Sequence, residues 1–495
     1  MDSNIQHFFR DKVVFITGGT GFLGKVLLEK LIRTTAVKTI YMLVRPKAGK
    51  EVDERLDDIF NDQLFEKLYQ TKPLFRDSIK LIAGDCMEPN LGICTDDRQK
   101  LTQNVEVIIH SAATVRFNEA LSIATKINVR ATHDLLNLAK EMKALKSFVH
   151  ISTAFVNCTA IHCDERFYSD KLSIDGEKFL NLLNGSEKEP LDAMTKQLVG
   201  QFPNTYTFSK CIAEDIVRKQ GNTLPLCICR PGGVVSMAEE PLPGWVSHLQ
   251  GAVSAVFWAG NGMLRVLHGN GHNHAGLVPV DYCTNAILAA AWNTASTYDS
   301  KSPKDLMIYN LVMDETNRVK WISYWEMMYK HISHSPFSKM MWQPFLFFVP
   351  NKCWYELLTF IFHTLPAYTL DGFSRLMGKE AKLVKISRKM YTLASVLRHF
   401  IVNEFIFGTT NTKNLWQKMS IDDQKLYNFD MIPLDWDTFF SNMAAGLRKY
   451  IAKEDLKTIP QARAKWNRFY IFNVALNGFL VVGLLWIICK TALFI

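Results

Sequence analysis

The chain has ten cysteines but no Cys-x-x-Cys pair, and 57 Lys and Arg against 48 Asp and Glu without a long basic run. The first absence reads the cysteines as reduced, buried thiols in a cytosol-facing domain. The second, with a net charge of only +9 and no nucleic-acid motif, argues against a nucleic-acid partner. It suits a phosphate-bearing ligand or an anionic membrane surface better. The first dozen residues place Asp2, Arg10, Asp11 and Lys12 around a few aromatics and lack an apolar signal-peptide core. What the 495 residues hold in quantity is apolar surface: 48% are hydrophobic and 12% aromatic, in a length with room for two or three compact units.

Much of that surplus is concentrated near one end. Phe469 to Cys489 carries no charge and has the length that crosses a bilayer as a helix. Arg463, Lys465 and Arg468 flank it on one side. Hydropathy and flanking charge predict a tail anchor over 469–489, with the body of the chain in the cytosol. A second apolar stretch, Gln343 to Tyr368, is broken by Pro344, Pro350, Asn351, Lys352 and Pro366. It reads either as an interfacial membrane segment or as a buried linker.

Lys12 to Thr17 is a short apolar strand, followed at once by Gly18-Gly19-Thr20-Gly21-Phe22-Leu23-Gly24 and the helical pattern Lys25 to Arg33. In that context Gly18 allows a tight turn, Gly21 a close approach of backbone to pyrophosphate, and Gly24 the packing of helix on strand. The second strand, Thr39 to Val44, ends in Arg45. An acid there would accept hydrogen bonds from the ribose of NAD, whereas an arginine pairs with the extra phosphate of NADP, and Lys47 is a second cation for that purpose.

An amphipathic helix over Glu51 to Gln70 leads to a third strand, Ile79 to Ala83, and to Gly84-Asp85-Cys86, where the acid suits the adenine amino group. The fourth strand, Val105 to Ile109, opens into His110-Ser111-Ala112-Ala113-Thr114, small enough for a cofactor to lie flat across the strand ends. A helix over Ser122 to Met142 carries Asn128, and the fifth strand, Ser147 to Ile151, delivers Ser152 and Thr153 at its tip. The roughly 50 residues from there to Tyr206 exceed what a simple crossover needs and form a candidate substrate lid.

Tyr206 and Lys210 stand four apart on a helix and so share a face. The ammonium is expected to sit beside the phenol and move its pKa down toward working pH. The Thr153 hydroxyl and the start of this helix should meet in the crevice outside the strand ends, where a carbonyl oxygen would be bound. A sixth strand, Leu224 to Arg230, precedes Pro231-Gly232-Gly233-Val234. The loop His268 to His274 holds three histidines with no carboxylate or thiol close in sequence, and no metal is assigned to it.

Together these segments resemble the extended short-chain dehydrogenase/reductases, and more narrowly the fatty acyl-CoA reductases. The likeness is carried by Thr17 to Gly24, Arg45-Pro46-Lys47, Glu54-Arg55-Leu56, His110 to Phe117, Asn128, His150 to Ala154, Tyr206 to Glu214 and Val278 to Asp281. It continues through Ile386 to Phe407, Asn411, Phe429-Asp430, Asp435-Trp436 and Gly446 to Tyr450.

The resemblance implies Tyr206, Lys210 and Thr153 as catalytic residues, with Ser152 a neighbour and Asn128 a supporting one. Cofactor contacts fall to Gly18, Thr20, Gly21, Phe22, Leu23, Gly24, Arg45, Asp85, Cys86, Ala112, Ala113, Thr114, Lys210, Pro231, Gly232 and Val234. Two positions depart from the family pattern: Gly232-Gly233, where Ser then Ile is commoner, and Asn261, where a lysine between glycines is expected.

The expected architecture is α/β, a Rossmann-type doubly wound parallel sheet over 1–310 with insertions at about 160–205 and 236–276. A connecting apolar segment over 311–370, a helical domain over 371–460 and the membrane helix over 469–489 follow. The expected activity is NADPH-dependent reduction of a long-chain acyl-CoA to a primary alcohol through an aldehyde, at an endoplasmic reticulum rather than a peroxisomal membrane, with membrane lipid as a partner. A reductase of the same fold that stops at the aldehyde or acts on a sterol is the alternative, and a non-catalytic NADP-binding membrane scaffold the other.

Overall fold

The computed structural model describes residues 3–46, 52–185, 188–299 and 305–492. The chain divides into two compact units, each drawn from three stretches of sequence. The first holds Met1–Pro243, Gly276–Arg318 and Glu404–Leu434, the second Gly244–Ala275, Val319–Asn403 and Asp435–Ile495. The contiguous boundaries expected at 310 and 371 therefore do not coincide with the edges of the units.

The first unit is built on β1 (Val13–Thr17), β2 (Thr39–Val44), β3 (Ile79–Ala83), β4 (Val107–His110), β5 (Ser147–Ile151), β6 (Leu226–Pro231) and β7 (Met307–Leu311). They form one parallel sheet in the order β7-β6-β5-β4-β1-β2-β3. β1 and β5 to their full length and β4 throughout are buried, as a sheet covered on both faces requires. Strand order reverses between β1 and β4, and a crevice opens at such a point outside the strand ends. The seventh strand was not foreseen in the sequence.

The helices used below are, in chain order, α1 (Phe22–Thr34), α2 (Ala131–Lys140), α3 (Thr205–Gln220), α4 (Gly251–Gly260), α5 (Val280–Thr297), α6 (Trp321–His334), α7 (Lys352–Thr359), α8 (Leu365–Leu376), α9 (Leu383–Val402), α10 (Trp436–Gly446) and α11 (Ile459–Ala492). The helix expected over 51–70 is broken: Val52–Phe60 ends before Asp62, which accepts from the Leu64 amide and starts a short 3-10 turn. The helix carrying Asn128 runs as Leu121–Thr125, a π turn Lys126–Arg130, and α2.

The candidate lid holds helices Gly176–Gly185, Lys188–Ala193 and Thr195–Val199. Phe179, Leu183, Leu198 and Phe202 join the core that packs under α3, and Phe179 and Phe202 meet the Phe208 ring edge-on at 5.6 and 5.7 Å. This stretch is thus docked on the core by its own apolar side chains.

The late segment 404–434 belongs to the first unit because partly buried polar groups fasten it there. The Glu165 carboxylate accepts from the amides of Asn310 and Thr412 at 3.0 and 3.2 Å and from the Thr412 hydroxyl at 2.9 Å. Phe155 meets Phe405 and Phe407 edge-on, each at 5.5 Å.

In the second unit α7 and α9 pack on a two-stranded pairing of Val266–His268 with Phe347–Val349, and α6 packs with α4, α10 and α11. The histidine loop is part of that packing: the His268 ring lies 4.9 Å from Tyr355, stacked, and its Nε2 is 3.1 Å from the Pro350 carbonyl. Among the described residues no helix is long and apolar enough to cross a membrane. The expected span lies within α11, where many side chains fall outside the described set.

Candidate active site

The turn after β1 brings backbone against backbone. Gly18 has φ +76, and a Cβ there would lie 2.6 Å from the Ala112 nitrogen. A Cβ on Gly24 would lie 2.1 Å from the Gly18 carbonyl oxygen. Only glycine permits both approaches.

The N-cap of α1 is Gly21, which has no side chain to cap the helix start. A Cβ on Gly21 would meet only the Gly18 oxygen, at 3.3 Å. Thr20 and Gly21 are exposed and Phe22 and Leu23 partly so. An uncapped helix start with open backbone before it is what a pyrophosphate requires, and a dinucleotide fits these residues.

Across the switch point, Thr17 pairs in register with His110, and His110 with His150. The Ala112 amide donates to Thr17 Oγ1 at 3.2 Å, and Thr17 Oγ1 lies 2.7 Å from His110 Nδ1. His110 Nε2 lies 3.0 Å from Thr132 Oγ1, whose proton goes to the Asn128 carbonyl at 2.8 Å. Thr132 must then accept from an Nε2–H, which leaves Nδ1 to accept from Thr17. Burial, then the Lys210 charge, hold His110 down to about 3, so it is neutral.

Asn128 holds the loop after β4. Its Oδ1 accepts from the Thr114 amide at 3.0 Å, and its Nδ2 donates to the Thr114 carbonyl at 3.2 Å and to Ser209 Oγ at 2.9 Å. The loop Ala112 to Thr114 is thereby tied to the helix that carries Tyr206.

Asn204 caps α3 by accepting from the Thr207 amide at 2.9 Å. Tyr206 sits in the first turn, partly exposed, with its ring stacked on Phe117 at 5.6 Å. Burial of the hydroxyl pushes it up to about 12, opposed by a hydrogen bond from Thr153. Thr153 is buried and caps a short turn by accepting from the Phe155 amide at 3.3 Å. Ser152 beside it is buried, and its Oγ has no partner among the described residues.

Lys210 is buried and donates to the Ile151 carbonyl at 2.7 Å. Burial lowers it to about 8, opposed by Glu214. The expectation that the ammonium lowers the phenol is not met. Lys210 is engaged with the β5 carbonyl, and desolvation dominates at Tyr206.

At the tip of β2, Arg45 is 63% exposed and makes a 3.2 Å ion pair with Asp85. An exposed pair of this kind is worth at most about 1 kcal/mol and exchanges readily for another anion. Lys47 lies outside the described residues. Burial raises the Cys86 thiol to about 12, so it is neutral.

Past β6, Gly232 donates its amide to the Leu311 carbonyl at 2.9 Å, and a Cβ there would lie 2.4 Å from the Gly276 oxygen. Val234 stands in Gly233–Val235, which pairs with Leu277–Pro279, and Pro231 ends β6. Asn261, in the second unit, is buried and donates to the Phe257 carbonyl at 2.8 Å, at the end of α4.

Two family models, both described as "Male sterility protein", match the chain: an NAD-binding one over residues 16–287 and one named Sterile over 362–454. "Fatty acyl-CoA reductase wat" of Drosophila melanogaster is 41% identical over 472 residues, covering 95% of this chain and 90% of that protein. "Fatty acyl-CoA reductase 2" of Homo sapiens is 34% identical over 479 residues, covering 96% and 92%. The chain belongs to the fatty acyl-CoA reductase family.

Among solved structures, a non-ribosomal peptide synthetase reductase domain from Mycobacterium tuberculosis aligns with a TM-score of 0.58 at 17% identity, over 90% of this chain and 96% of that one. The terminal R domain of the myxalamid pathway aligns at 0.56 and 20% identity, over 88% and 91%. These likenesses establish the reductase-domain fold.

One pair of site residues went unrecognised in the sequence. Glu214, one turn beyond Lys210 on the same face, accepts from Arg230 Nε at 2.9 Å and from its Nη2 at 2.5 Å, with both side chains buried. Arg230 also donates to the carbonyls of Asp164 and Arg166 at 3.0 and 2.8 Å. The pair locks α3, β6 and the 164–166 loop together. Its sequence signal was an arginine closing an apolar strand and an acid at i+4 from Lys210.

Proposed function

We propose that the protein reduces long-chain fatty acyl-CoA to a primary alcohol with NADPH, by way of an aldehyde and with release of CoA. The observation that carries this is the meeting of Tyr206 with Thr153 at the strand ends beside the glycine turn, in a chain whose near-full-length relatives are named fatty acyl-CoA reductases. NADPH, held by the Gly18–Gly24 turn, Arg45, Asp85, Cys86, the Ala112–Thr114 loop, Lys210 and Pro231 to Val234, supplies hydride when bound.

With its hydroxyl pushed up to about 12, Tyr206 keeps its proton throughout the working range and acts as a donor. Its hydroxyl and that of Thr153 bind the carbonyl oxygen, and both bonds strengthen as charge develops there. In the first reduction the carbon–sulfur bond breaks and CoA leaves as thiolate. In the second, Tyr206 protonates the aldehyde oxygen to give the alcohol. Asn128 supports both reductions by keeping the Thr114 loop against α3, and Ser152 offers a second hydroxyl beside Thr153.

The arginine at the β2 tip supports NADPH over NADH, since it can exchange Asp85 for a phosphate. The uncharged stretch Phe469 to Cys489, on which Ile471, Val482 and Trp486 are exposed, supports a tail anchor in the endoplasmic reticulum with the catalytic body in the cytosol. Protease protection of the tail in intact microsomes tests that placement.

Product analysis on purified protein with NADPH and a panel of acyl-CoAs tests the activity. Alcohol is expected; aldehyde alone, or turnover of a sterol only, overturns the reading. Tyr206→Phe should lower kcat by about 10²–10⁴ while NADPH still binds. Alcohol formation at the parent rate would remove Tyr206 from the chemistry.

A further inference from the structure

The run from α7 through the π turn Phe360–Thr364 to α8 is amphipathic with its faces reversed. The side chains it buries are Tyr355, Thr359, His363, Ala367 and Asp371, spaced by four and mostly polar. Those polar groups are used: His363 Nε2 accepts the Arg265 amide at 3.1 Å, and Asp371 accepts the amides of Leu383 and Val384, each at 2.9 Å.

The apolar side chains point the other way. Trp354 is 60% exposed, Phe373 63% and Leu376 85%, and Leu357, Phe360 and Leu365 are exposed with them. A helix packed in water buries its apolar face and presents the polar one, and a large exposed apolar patch marks an interaction surface.

Charge at the edge of this face selects the occupant. Between 371 and 389 stand six Lys and Arg against Asp371 and Glu380. Asp371 is spent on the start of α9, and Glu380 pairs with Lys382 at 2.7 Å. Arg375, Lys385, Arg388 and Lys389 line one open groove of about 520 Å³ and make no salt bridge among the described residues. Arg388 and Thr392 also line the neighbouring pocket of about 350 Å³, which Tyr355, Tyr368 and Met390 wall with ring and aliphatic surface. Apolar side chains in front and unpaired cations beside them fit an anionic bilayer, with tails against the first and headgroup phosphates against the second.

We propose that α7, the π turn and α8 form a monotopic docking face that inserts into an anionic lipid bilayer, with Arg375, Lys385, Arg388 and Lys389 binding phospholipid phosphate. The face belongs to the second unit and shares no residue with the tail at 469–489 or with the catalytic groups, so its failure leaves the proposed activity standing.

The test uses the full chain in vesicles of phosphatidylcholine, alone or mixed with phosphatidylserine, carrying a trace of phospholipid with a photoactivatable diazirine in its acyl chain. Peptides covering 352–377 should be labelled, more strongly with phosphatidylserine present. Lys385→Glu/Arg388→Glu/Lys389→Glu, all exposed positions, should abolish that gain, since each cation near an anionic surface shifts docking roughly fivefold. Leu357→Gln/Phe373→Gln/Leu376→Gln should lower labelling in both vesicle types, while turnover of a dispersed acyl-CoA stays at the parent level.

Labelling confined to the tail peptide, or no greater over 352–377 than over the surface helix Thr95–Asn104, overturns the proposal. So does crosslinking of two copies through this face, which would make a second chain its occupant.

Discussion

Lys210→Met should make the protein inactive and, near neutral pH, more stable. Lys210 is buried, and burial lowers it from 10.5 to about 8. That gap corresponds to a penalty of about 3 kcal/mol against the charged form in the fold. The sign follows from linkage: a base with a lowered folded pKa binds protons more weakly folded than unfolded, so stability rises with pH between the two values. The penalty is therefore full below about 8 and gone above 10.5, where the amine is neutral in both states.

Methionine removes the ammonium and also the bond to the Ile151 carbonyl, the latter a loss of about 1 kcal/mol. The variant should then exceed the parent by about 2 kcal/mol at pH 7 and by no more than about 0.5 kcal/mol at pH 9.5. Urea unfolding of both proteins, followed through the transition of the first unit at several pH values, measures the difference. A gap that does not change with pH, or a variant less stable than the parent at pH 7, refutes the reasoning.

Arg45→Ala should lower the preference for NADPH over NADH by about 1.5–3 kcal/mol, the worth of a charged hydrogen bond, read from the two kcat/KM values. Glu214→Gln should cost about 3–5 kcal/mol by leaving the buried Arg230 without a countercharge, and Glu214→Leu/Arg230→Met should recover part of it in thermal unfolding. Gly232→Ser, which supplies the residue commoner in the family, should destabilise by about 1–3 kcal/mol because its Cβ would press on the Gly276 oxygen. Unfolding unchanged by that substitution would mean that the 276 backbone yields.

The glycine turn was legible in the sequence because its requirement is local: strand, close backbone approach and helix start follow within a dozen residues. Six strands were legible for the same reason, as apolar runs closed by turn residues. β7 was not, because its five residues include Asn310, a poor strand former that is buried here. Its Nδ2 donates to the carbonyls of Cys163 and Gly408, at 2.9 and 2.8 Å, which no local pattern reveals. The interleaved units have the same cause: residues 404–434 join the first unit through Glu165, more than 200 positions earlier.

The reading of Tyr206 and Lys210 differs from the structure in one respect, the partner that the ammonium reaches. A spacing of four puts two side chains on one helical face, but it does not say which partner a long side chain reaches. Lys210 extends to the carbonyl at the end of β5, one residue before Ser152 and two before Thr153. It thus binds the strand tip that positions Thr153, and it brings positive charge under the crevice without resting on the phenol. A phenol that keeps its proton can still donate at the carbonyl oxygen, although burial makes it a weaker acid than a free tyrosine. The geometry therefore favours a division of labour in which Thr153 touches the phenol, Lys210 fixes the strand that carries Thr153, and Glu214, held by Arg230, keeps the lysine charged against its burial.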